Sequence, residues 1–327
     1  PYIILTKKKR NTFYAKILLF GEYSVICDSM GLTIPYTHFK GEFSFINEDK
    51  YTDFDFAVKS NELIKAYLPF IMDLKKSGQL LCDFDINKFE QELDKGLYFE
   101  STIPQGYGLG SSGAIIAALY DRYVNNKIPN NRNLNHEKML QLKEIFSQLE
   151  AYYHGTSSGL DPLNSYISFP LHIKTKSEIE TVGIPRNKEN KMGAIFLINT
   201  GHSGKTEPLV NLFLDKCKDP SYLKKIKEEM IPLNNYSIST LIKGEIKDFF
   251  NILTKLSRFQ LENLQPMIPQ AFRMIWKRGL ESGEYMLKLC GSGGGGFLLG
   301  FTNDYEKVKK KLLKEKIELI PVYKNSQ

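Results

Sequence analysis

Four residues of this sequence have the side-chain types that transfer of a phosphoryl group requires. Lys16 lies among apolar residues in the stretch AKILLFGEY, and Glu150 lies near the end of a long helical pattern. Asp161 lies in the stretch HGTSSGLDPLNSY, and Ser112 belongs to a glycine-rich loop. Phosphoryl transfer needs N–H donors around the phosphates, oxygen ligands for Mg²⁺, a cation near the developing charge and a carboxylate that accepts the hydroxyl proton. Because a single charged residue more often belongs to the solvated surface, the hypothesis depends on the loops that accompany these residues.

The first glycine-rich loop, IPQGYGLGSSGA over residues 103–114, leads into the apolar run AIIAALY. Residues 108–113 match the G-x-G-x-x-G pattern of dinucleotide-binding folds, but no acidic residue near position 128 is available to bind a ribose. Ser111 and Ser112 are instead predicted at the N-cap of the following helix, where free N–H groups and the helix dipole favour phosphate. A capped turn without a ligand remains the alternative for this loop.

The second glycine-rich loop, LCGSGGGGF over residues 289–297, has five glycines in six residues between two apolar runs. Each glycine adds conformational entropy to the unfolded chain, so a turn alone would be expected to use fewer. The surplus indicates that the backbone approaches another group closely, and a wide β-turn is the alternative.

A third stretch, TGHSGKT over residues 200–206, has the composition of a P-loop but not its spacing. Two residues separate Gly201 from Gly204, whereas a P-loop requires four residues between its first glycine and the Gly-Lys pair. The stretch is therefore not predicted to be a P-loop, although Lys205 and Thr206 could contact an anionic substrate.

Length and composition indicate a soluble globular protein with two domains. The chain has 327 residues, of which 42% are hydrophobic and 25% charged. No stretch reaches the roughly 18 consecutive apolar residues that span a membrane, and the apolar residues of PYIILTKKKR precede the basic ones, which is the wrong order for a signal peptide. We therefore expect no membrane partner.

The charge and the cysteines limit the classes of partner. The net charge is +7, and the basic run Lys307–Lys316 has the spacing of a solvated helix face without the interleaved aromatic residues of a nucleic-acid site. A second basic run lies at Lys7–Arg10. The charge suits an anionic small-molecule substrate rather than nucleic acid. The four cysteines are far apart, which favours a reducing, cytoplasmic setting over a zinc site or a disulfide framework.

Helical and strand patterns are mixed along the chain, which predicts an α+β or α/β class. The polar segment 176–191 is interpreted as the region between two domains, 1–185 and 186–327. Short strands are expected between Asp161 and Lys174. The other predicted strands lie at 13–20, 41–46, 96–103, 192–201 and on both sides of the second glycine-rich loop, and the main predicted helices at 61–76, 137–153, 208–216, 221–230, 236–242, 245–263 and 270–282.

Three motifs in order resemble those of the GHMP kinases, the galactokinase, homoserine kinase, mevalonate kinase and phosphomevalonate kinase superfamily. KILLFGEYSVI resembles the first motif, PQGYGLGSSGA the second and KLCGSGGGGFLLG the third, and together they span nearly the whole chain. Residues 150–161, EAYYHGTSSGLD, are similar to the E-x-x-x-H-G-x-P-S-G-x-D segment of mevalonate kinases. The resemblance implies an S5-like N-terminal domain and a ferredoxin-like C-terminal domain, and an ATP- and Mg²⁺-dependent enzyme that phosphorylates a small-molecule alcohol as a monomer or homodimer.

The resemblance also implies roles for individual residues. Asp161 would be the catalytic base with Lys16 as its partner, and Ser112 and Glu150 would be the Mg²⁺ ligands. The ATP phosphates would be bound by Pro104, Gly106, Gly108, Leu109, Gly110, Ser111, Ser112 and Gly113. The acceptor pocket would include Glu22, Tyr23, His154, Ser158, Thr200, Thr206, Gly291, Ser292, Gly293 and Gly294.

Four positions depart from the family pattern. Tyr23 stands where mevalonate kinases usually have His, Ser157 where they have Pro, Pro162 where Asn is common, and Gly113 where Ala is usual. The departures leave the kinase class intact and leave the acceptor open between mevalonate, phosphomevalonate and another small metabolite. A nucleotide-binding regulator without catalysis is the rival from another class, and a dinucleotide oxidoreductase is disfavoured by the missing ribose acid.

Overall fold

The computed structural model describes residues 11–46, 53–131, 133–185 and 193–324. The chain divides into two units, each assembled from separate segments. The first unit comprises residues 1–15, 37–103 and 110–168, and the second unit comprises residues 16–36, 104–109 and 169–327. The predicted domain boundary at 185/186 meets the segment 186–192, which lies outside the described residues, as does the basic run Lys7–Arg10, and the boundary stays a prediction.

One sheet has five strands, with the order β1-β2-β4-β5 and with β3 also paired to β2. Antiparallel pairing sets Gly41 opposite Ser101 between β2 and β3, and Gly31 opposite Ile173 between β2 and β4. The strands are β1 (Phe13–Phe20), β2 (Gly31–Phe45), β3 (Leu97–Ser101), β4 (Leu171–Thr175) and β5 (Glu178–Thr181). β2 is much longer than the predicted strand at 41–46.

The described residues of the first unit form six α-helices: α1 (Phe54–Lys65), α2 (Leu68–Lys76), α3 (Ile86–Asp94), α4 (Ser111–Tyr123), α5 (His136–His154) and α6 (Leu160–Ile167). The N-cap of α5 is Asn135, whose side chain accepts a hydrogen bond from the backbone N–H of Lys138. Its buried face carries Met139, Leu142, Phe146, Leu149 and Glu150 at helical spacing. A carboxylate is therefore held on the buried face of α5.

Helix α6 corrects the first part of the predicted short strands between Asp161 and Lys174, whereas β4 confirms the last part. Its eight residues bury Leu163, Tyr166 and Ile167 at the i, i+3, i+4 spacing of a helix. Pro162 lies in the first turn, where its missing N–H has no intrahelical partner to lose. The rings of Tyr166, Tyr120 and Phe146 pack with centroids 5.0–5.6 Å apart, which joins α6 to α4 and α5.

The second unit contains a four-stranded antiparallel sheet with the order β7-β8-β6-β9. Its strands are β6 (Ala194–Asn199), β7 (Tyr285–Leu289), β8 (Phe297–Thr302) and β9 (Leu319–Lys324), and its helices are α7 (Thr206–Lys216), α8 (Pro220–Lys225), α9 (Ile231–Lys243), α10 (Ile246–Asn263), α11 (Gln270–Ser282) and α12 (Tyr305–Leu313). A π-helical turn, Ile226–Met230, joins α8 to α9. The α+β class with two sheets is confirmed. Within the described part of the chain, no helix is both long and apolar enough to cross a membrane.

Candidate functional site

The predicted metal ligands lie together in the first unit. Ser112 Oγ donates a hydrogen bond to Glu150 Oε1 at 2.8 Å. Ser112 Oγ also lies 3.1 Å from His154 Nε2, where the donor depends on the imidazole tautomer. Ser157 Oγ donates to the other carboxylate oxygen, Glu150 Oε2, at 2.5 Å. Both oxygens of Glu150 are thus held by hydroxyl groups.

Burial and a neighbouring acid make the Glu150 carboxylate electrostatically unfavourable. Glu150 is only 4% exposed. Burial raises its pKa above the ordinary value, the negative charge of Asp161 raises it further, and the hydrogen bonds from Ser157 and Ser112 act in the opposite direction. A cation at this position would be stabilised by two carboxylates in a region of low dielectric constant.

The donors around Glu150 fit Mg²⁺. Octahedral Mg²⁺ binds oxygen at 2.0–2.1 Å, so two adjacent ligand oxygens lie about 2.9 Å apart. Ser112 Oγ and Glu150 Oε1 are hydrogen-bonded at 2.8 Å, an ordinary O–H···O distance that is also compatible with this spacing. Among the residues that the structure describes, no group of three or more His, Cys, Asp or Glu side chains could form an all-protein metal site. Hydroxyl and carboxylate oxygens are ligands that Mg²⁺ combines with phosphates and water.

The N-terminus of α4 has no side-chain cap. Its N-cap is Gly110, in the left-handed conformation with φ 73°, and the prediction that Ser111 or Ser112 would cap the helix is wrong. Left-handed backbone strongly favours glycine, which explains the residue at this position. The two serines form the first turn, so their hydroxyls are released from capping, and Ser112 turns to Glu150. An uncapped helix N-terminus presents N–H donors to an anion.

Asp161 lies in the first turn of α6, where the helix dipole favours a carboxylate. The N-cap of α6 is Gly159, with φ 72°, and a Cβ at this position would lie 2.1 Å from the carbonyl oxygen of Lys143 in α5. Only glycine allows the chain to pass α5 this closely. Ser158 Oγ accepts a hydrogen bond from the N–H of Leu160 at 3.4 Å, so its hydroxyl lies beside the same helix start.

Gly113 departs from the family pattern because α4 and α6 approach each other closely at this position. A Cβ on Gly113 would lie 2.7 Å from the backbone carbon of Asp161 and 2.8 Å from the nitrogen of Pro162. Both neighbours are backbone atoms, which cannot rotate away.

We expect Gly113→Ala to destabilise the protein, although alanine is intrinsically the better helix former. Overpacking of this kind costs about 1–3 kcal/mol, which exceeds the propensity gain. Thermal unfolding measures the effect, and Gly183→Ala is the matched control because a Cβ on Gly183 meets no atom within 4 Å. An equal or higher melting temperature for Gly113→Ala would contradict the packing described.

In the second unit, the loop of residues 104–109 is attached to Lys16. The backbone N–H of Lys16 donates to the carbonyl oxygen of Leu109 at 2.9 Å. Lys16 lies in β1 and is 7% exposed. Gly106 accepts a hydrogen bond from the N–H of Gly204 at 3.2 Å, and Gly108 has φ 73°. The first motif, the second motif and the 200–206 stretch therefore contribute to one loop cluster.

The glycine surplus at 291–296 allows close approach of backbone to backbone. All five glycines have positive φ. A Cβ on Gly293 would lie 2.3 Å from the carbonyl oxygen of Met267, and one on Gly295 would lie 2.7 Å from the nitrogen of Gly204. Thr200 donates to the carbonyl oxygen of Gly296 from both its N–H and its hydroxyl. The loop is therefore held by its neighbours rather than formed as an open turn.

Tyr23 is joined to this loop. Its hydroxyl donates to the carbonyl oxygen of Ser292, its ring packs 4.9 Å from the ring of Phe213, and its backbone has φ 61°. Burial raises the pKa of Tyr23 well above its ordinary value, so the hydroxyl remains a donor. Thr206 Oγ1 lies 3.0 Å from Ser292 Oγ. Two of the predicted acceptor residues, Tyr23 and Thr206, thus contact a third, Ser292.

Glu22 forms a buried ion pair that the sequence did not indicate. Lys288 Nζ donates to Glu22 Oε1, and the two side chains are 0% and 1% exposed. Burial raises the pKa of Glu22, and the Lys288 ammonium lowers it. The only available signal was a lysine in the middle of the apolar strand YMLKL, since a buried charge requires a partner.

Known proteins resemble this chain in one domain and in overall fold. Residues 75–168 match the family model described as GHMP kinases N terminal domain. L. major mevalonate kinase in complex with R-mevalonate is 18% identical, with 97% of each chain covered and a TM-score of 0.61. Streptococcus pneumoniae phosphomevalonate kinase in complex with phosphomevalonate and AMPPNP is 13% identical, with 95% of this chain and 98% of that chain covered and a TM-score of 0.60. Lactococcus lactis galactokinase complexed with galactose is 15% identical, with 98% of this chain and 94% of that chain covered and a TM-score of 0.61.

No curated protein sequence matches the chain. The fold is that of the GHMP kinases. The match of residues 75–168 to the GHMP kinase N-terminal domain confirms the resemblance predicted from the three motifs. At 13–18% identity, the similar structures do not distinguish between acceptors.

Proposed function

We propose that this protein is an ATP-dependent kinase that phosphorylates a small alcohol, with mevalonate as the first candidate acceptor. The observation that carries the proposal is the pair of oxygens on Ser112 and Glu150, 2.8 Å apart at the uncapped N-terminus of α4. A nucleoside triphosphate with Mg²⁺ is bound by free N–H donors for its phosphates and by oxygen ligands for the metal, and both are present at this helix N-terminus.

In this proposal, one set of residues binds the phosphates and another set carries out proton transfer. The N-terminus of α4 and the glycine loop before it bind the phosphates, and Ser112 and Glu150 hold Mg²⁺, which neutralises phosphate charge when bound. Asp161 accepts the proton of the acceptor hydroxyl. By the family resemblance, Lys16 is assigned to stabilise the charged form of Asp161 and the developing alkoxide, since an opposite charge favours an ionised carboxylate.

The segment from Glu150 to Asp161 favours mevalonate as the acceptor. Glu150, His154, Gly155, Ser158, Gly159 and Asp161 match the mevalonate kinase pattern with its spacing. The L. major protein in the comparison contains R-mevalonate, while other similar structures contain phosphomevalonate or galactose. Phosphomevalonate would require additional basic residues, for which Lys205 is a candidate.

The acceptor is tested by ADP release in a coupled assay with Mg²⁺-ATP and mevalonate, phosphomevalonate, homoserine or galactose. We expect turnover with mevalonate at least 100-fold faster than with the other three. Turnover with a different acceptor would retain the kinase class and replace the substrate. Binding of ATP without ADP release from any acceptor would instead favour the non-catalytic nucleotide-binding regulator.

A further inference from the structure

Ser157 has three hydrogen bonds that determine where its hydroxyl points. Its Oγ donates to Glu150 Oε2 at 2.5 Å and accepts from the N–H of Gly159 at 3.0 Å. Its carbonyl oxygen accepts from Ser147 Oγ at 2.5 Å. The N–H of Gly159 uses an acceptor lone pair of the hydroxyl, so the Ser157 proton is directed to the carboxylate.

The two hydroxyls divide the Glu150 carboxylate into two halves. Ser157 holds Oε2, and Ser112 lies against Oε1. Rotation of the carboxylate out of its present plane would break both hydrogen bonds. The oxygen pair compatible with Mg²⁺ spacing is therefore Glu150 Oε1 with Ser112 Oγ, on the side of the carboxylate opposite Ser157.

We infer that Ser157 is a positioning residue that fixes the Glu150 carboxylate so that Oε1 and the Ser112 hydroxyl bind Mg²⁺ together. The inference rests on the proposed function, because it concerns the metal site of the phosphoryl transfer. Ser157 itself is not assigned as a metal ligand. Hydrogen-bond partners of metal ligands typically change metal affinity by 10- to 100-fold when they are removed.

This role is a property of the present chain. Ser157 stands where the resembled pattern has proline, which has no hydroxyl. Proline could give the loop its path but could not hold Oε2. The serine therefore adds an interaction that the pattern residue lacks, at a buried carboxylate whose charge is disfavoured by burial and by Asp161.

The test compares Ser157→Ala, Ser157→Pro and Ser157→Thr in the full-length protein. The first readout is Mn²⁺ affinity in the presence of ADP, measured from the EPR signal of free Mn²⁺, which does not require turnover. The second is the Mg²⁺ concentration at half-maximal ADP release. We expect Ala and Pro to weaken Mn²⁺ binding about 10- to 100-fold and to raise the Mg²⁺ requirement in parallel, with Thr close to wild type.

Ser147→Ala is the matched control. It removes the hydrogen bond to the Ser157 carbonyl and leaves the hydroxyl that contacts Glu150. We expect a lower melting temperature for this variant but Mn²⁺ affinity within about twofold of wild type. If Ser157→Ala lowered stability to the same extent and left Mn²⁺ affinity unchanged, the role of Ser157 would be structural and the inference would be wrong.

Glu150→Ala distinguishes this inference from the proposed function. Weaker Mn²⁺ binding by Glu150→Ala together with unchanged binding by Ser157→Ala would overturn the inference alone. Unchanged Mn²⁺ binding by Glu150→Ala would remove Glu150 from the metal site and overturn the inference with it, whereas the proposed function fails only if no acceptor supports ADP release.

Discussion

Asp161→Asn is expected to lower turnover about 10²- to 10⁴-fold, the usual contribution of a general base. Asn has the shape of Asp but cannot accept a proton from the acceptor hydroxyl at neutral pH. Asp161 lies in the first turn of α6, close enough to Glu150 to raise the pKa of that residue. The substitution removes a charge without adding atoms to a packed helix start, so the fold should persist.

Steady-state ADP release gives the turnover, and fluorescence titration with a labelled ADP gives nucleotide affinity, which should stay within a few-fold of wild type. Asp73→Asn, in α2, is the matched control because Asp73 is exposed and belongs to no candidate site. Near-native turnover by Asp161→Asn would show that another group takes the proton. A parallel loss of nucleotide binding would show that Asp161 serves the phosphates instead.

The parts of the fold that were predictable have strong local periodicity. β1, α5 and α11 lie where the pattern put them, because their apolar residues repeat at the spacing of a buried strand or helix face. β2 extends well before 41–46, and Pro35 within it is a residue that argues against a paired strand. α6 was missed because eight residues with an internal proline give too short a pattern.

The candidate site was predictable to the extent that it follows motifs. Ser112 and Glu150, which the motifs assign together as metal ligands, are hydrogen-bonded to each other, and their role as ligands stays a prediction. The contacts of Ser157 and Lys288 were not predictable, because each depends on which residue lies opposite in the folded chain. The Gly110 cap was missed because serine is the commoner N-cap residue. At position 110 the backbone is left-handed, which favours glycine as the N-cap.

Glu22→Gln is expected to lower the free energy of unfolding by about 3–5 kcal/mol, the usual cost of breaking a fully buried ion pair. Lys288 is completely buried, and besides Glu22 its ammonium donates to the carbonyl oxygen of Leu289 at 2.9 Å and lies 5.1 Å from the centroid of the Phe20 ring. These neutral partners do not supply a counter-charge. The variant therefore leaves a buried cation uncompensated, and urea-induced unfolding measures the loss.

The double variant Glu22→Leu with Lys288→Met separates burial of charge from loss of packing. It removes both charges and fills the same space with apolar side chains, so we expect it to recover most of the stability lost in Glu22→Gln. Glu178→Gln is the matched control, because it breaks an exposed ion pair with Lys174 and should have little effect. If Glu22→Gln were as mild as that control, Lys288 would have to reach water or another anion. Glu22 would then be available to a substrate, as the family resemblance implies, rather than committed to the lysine.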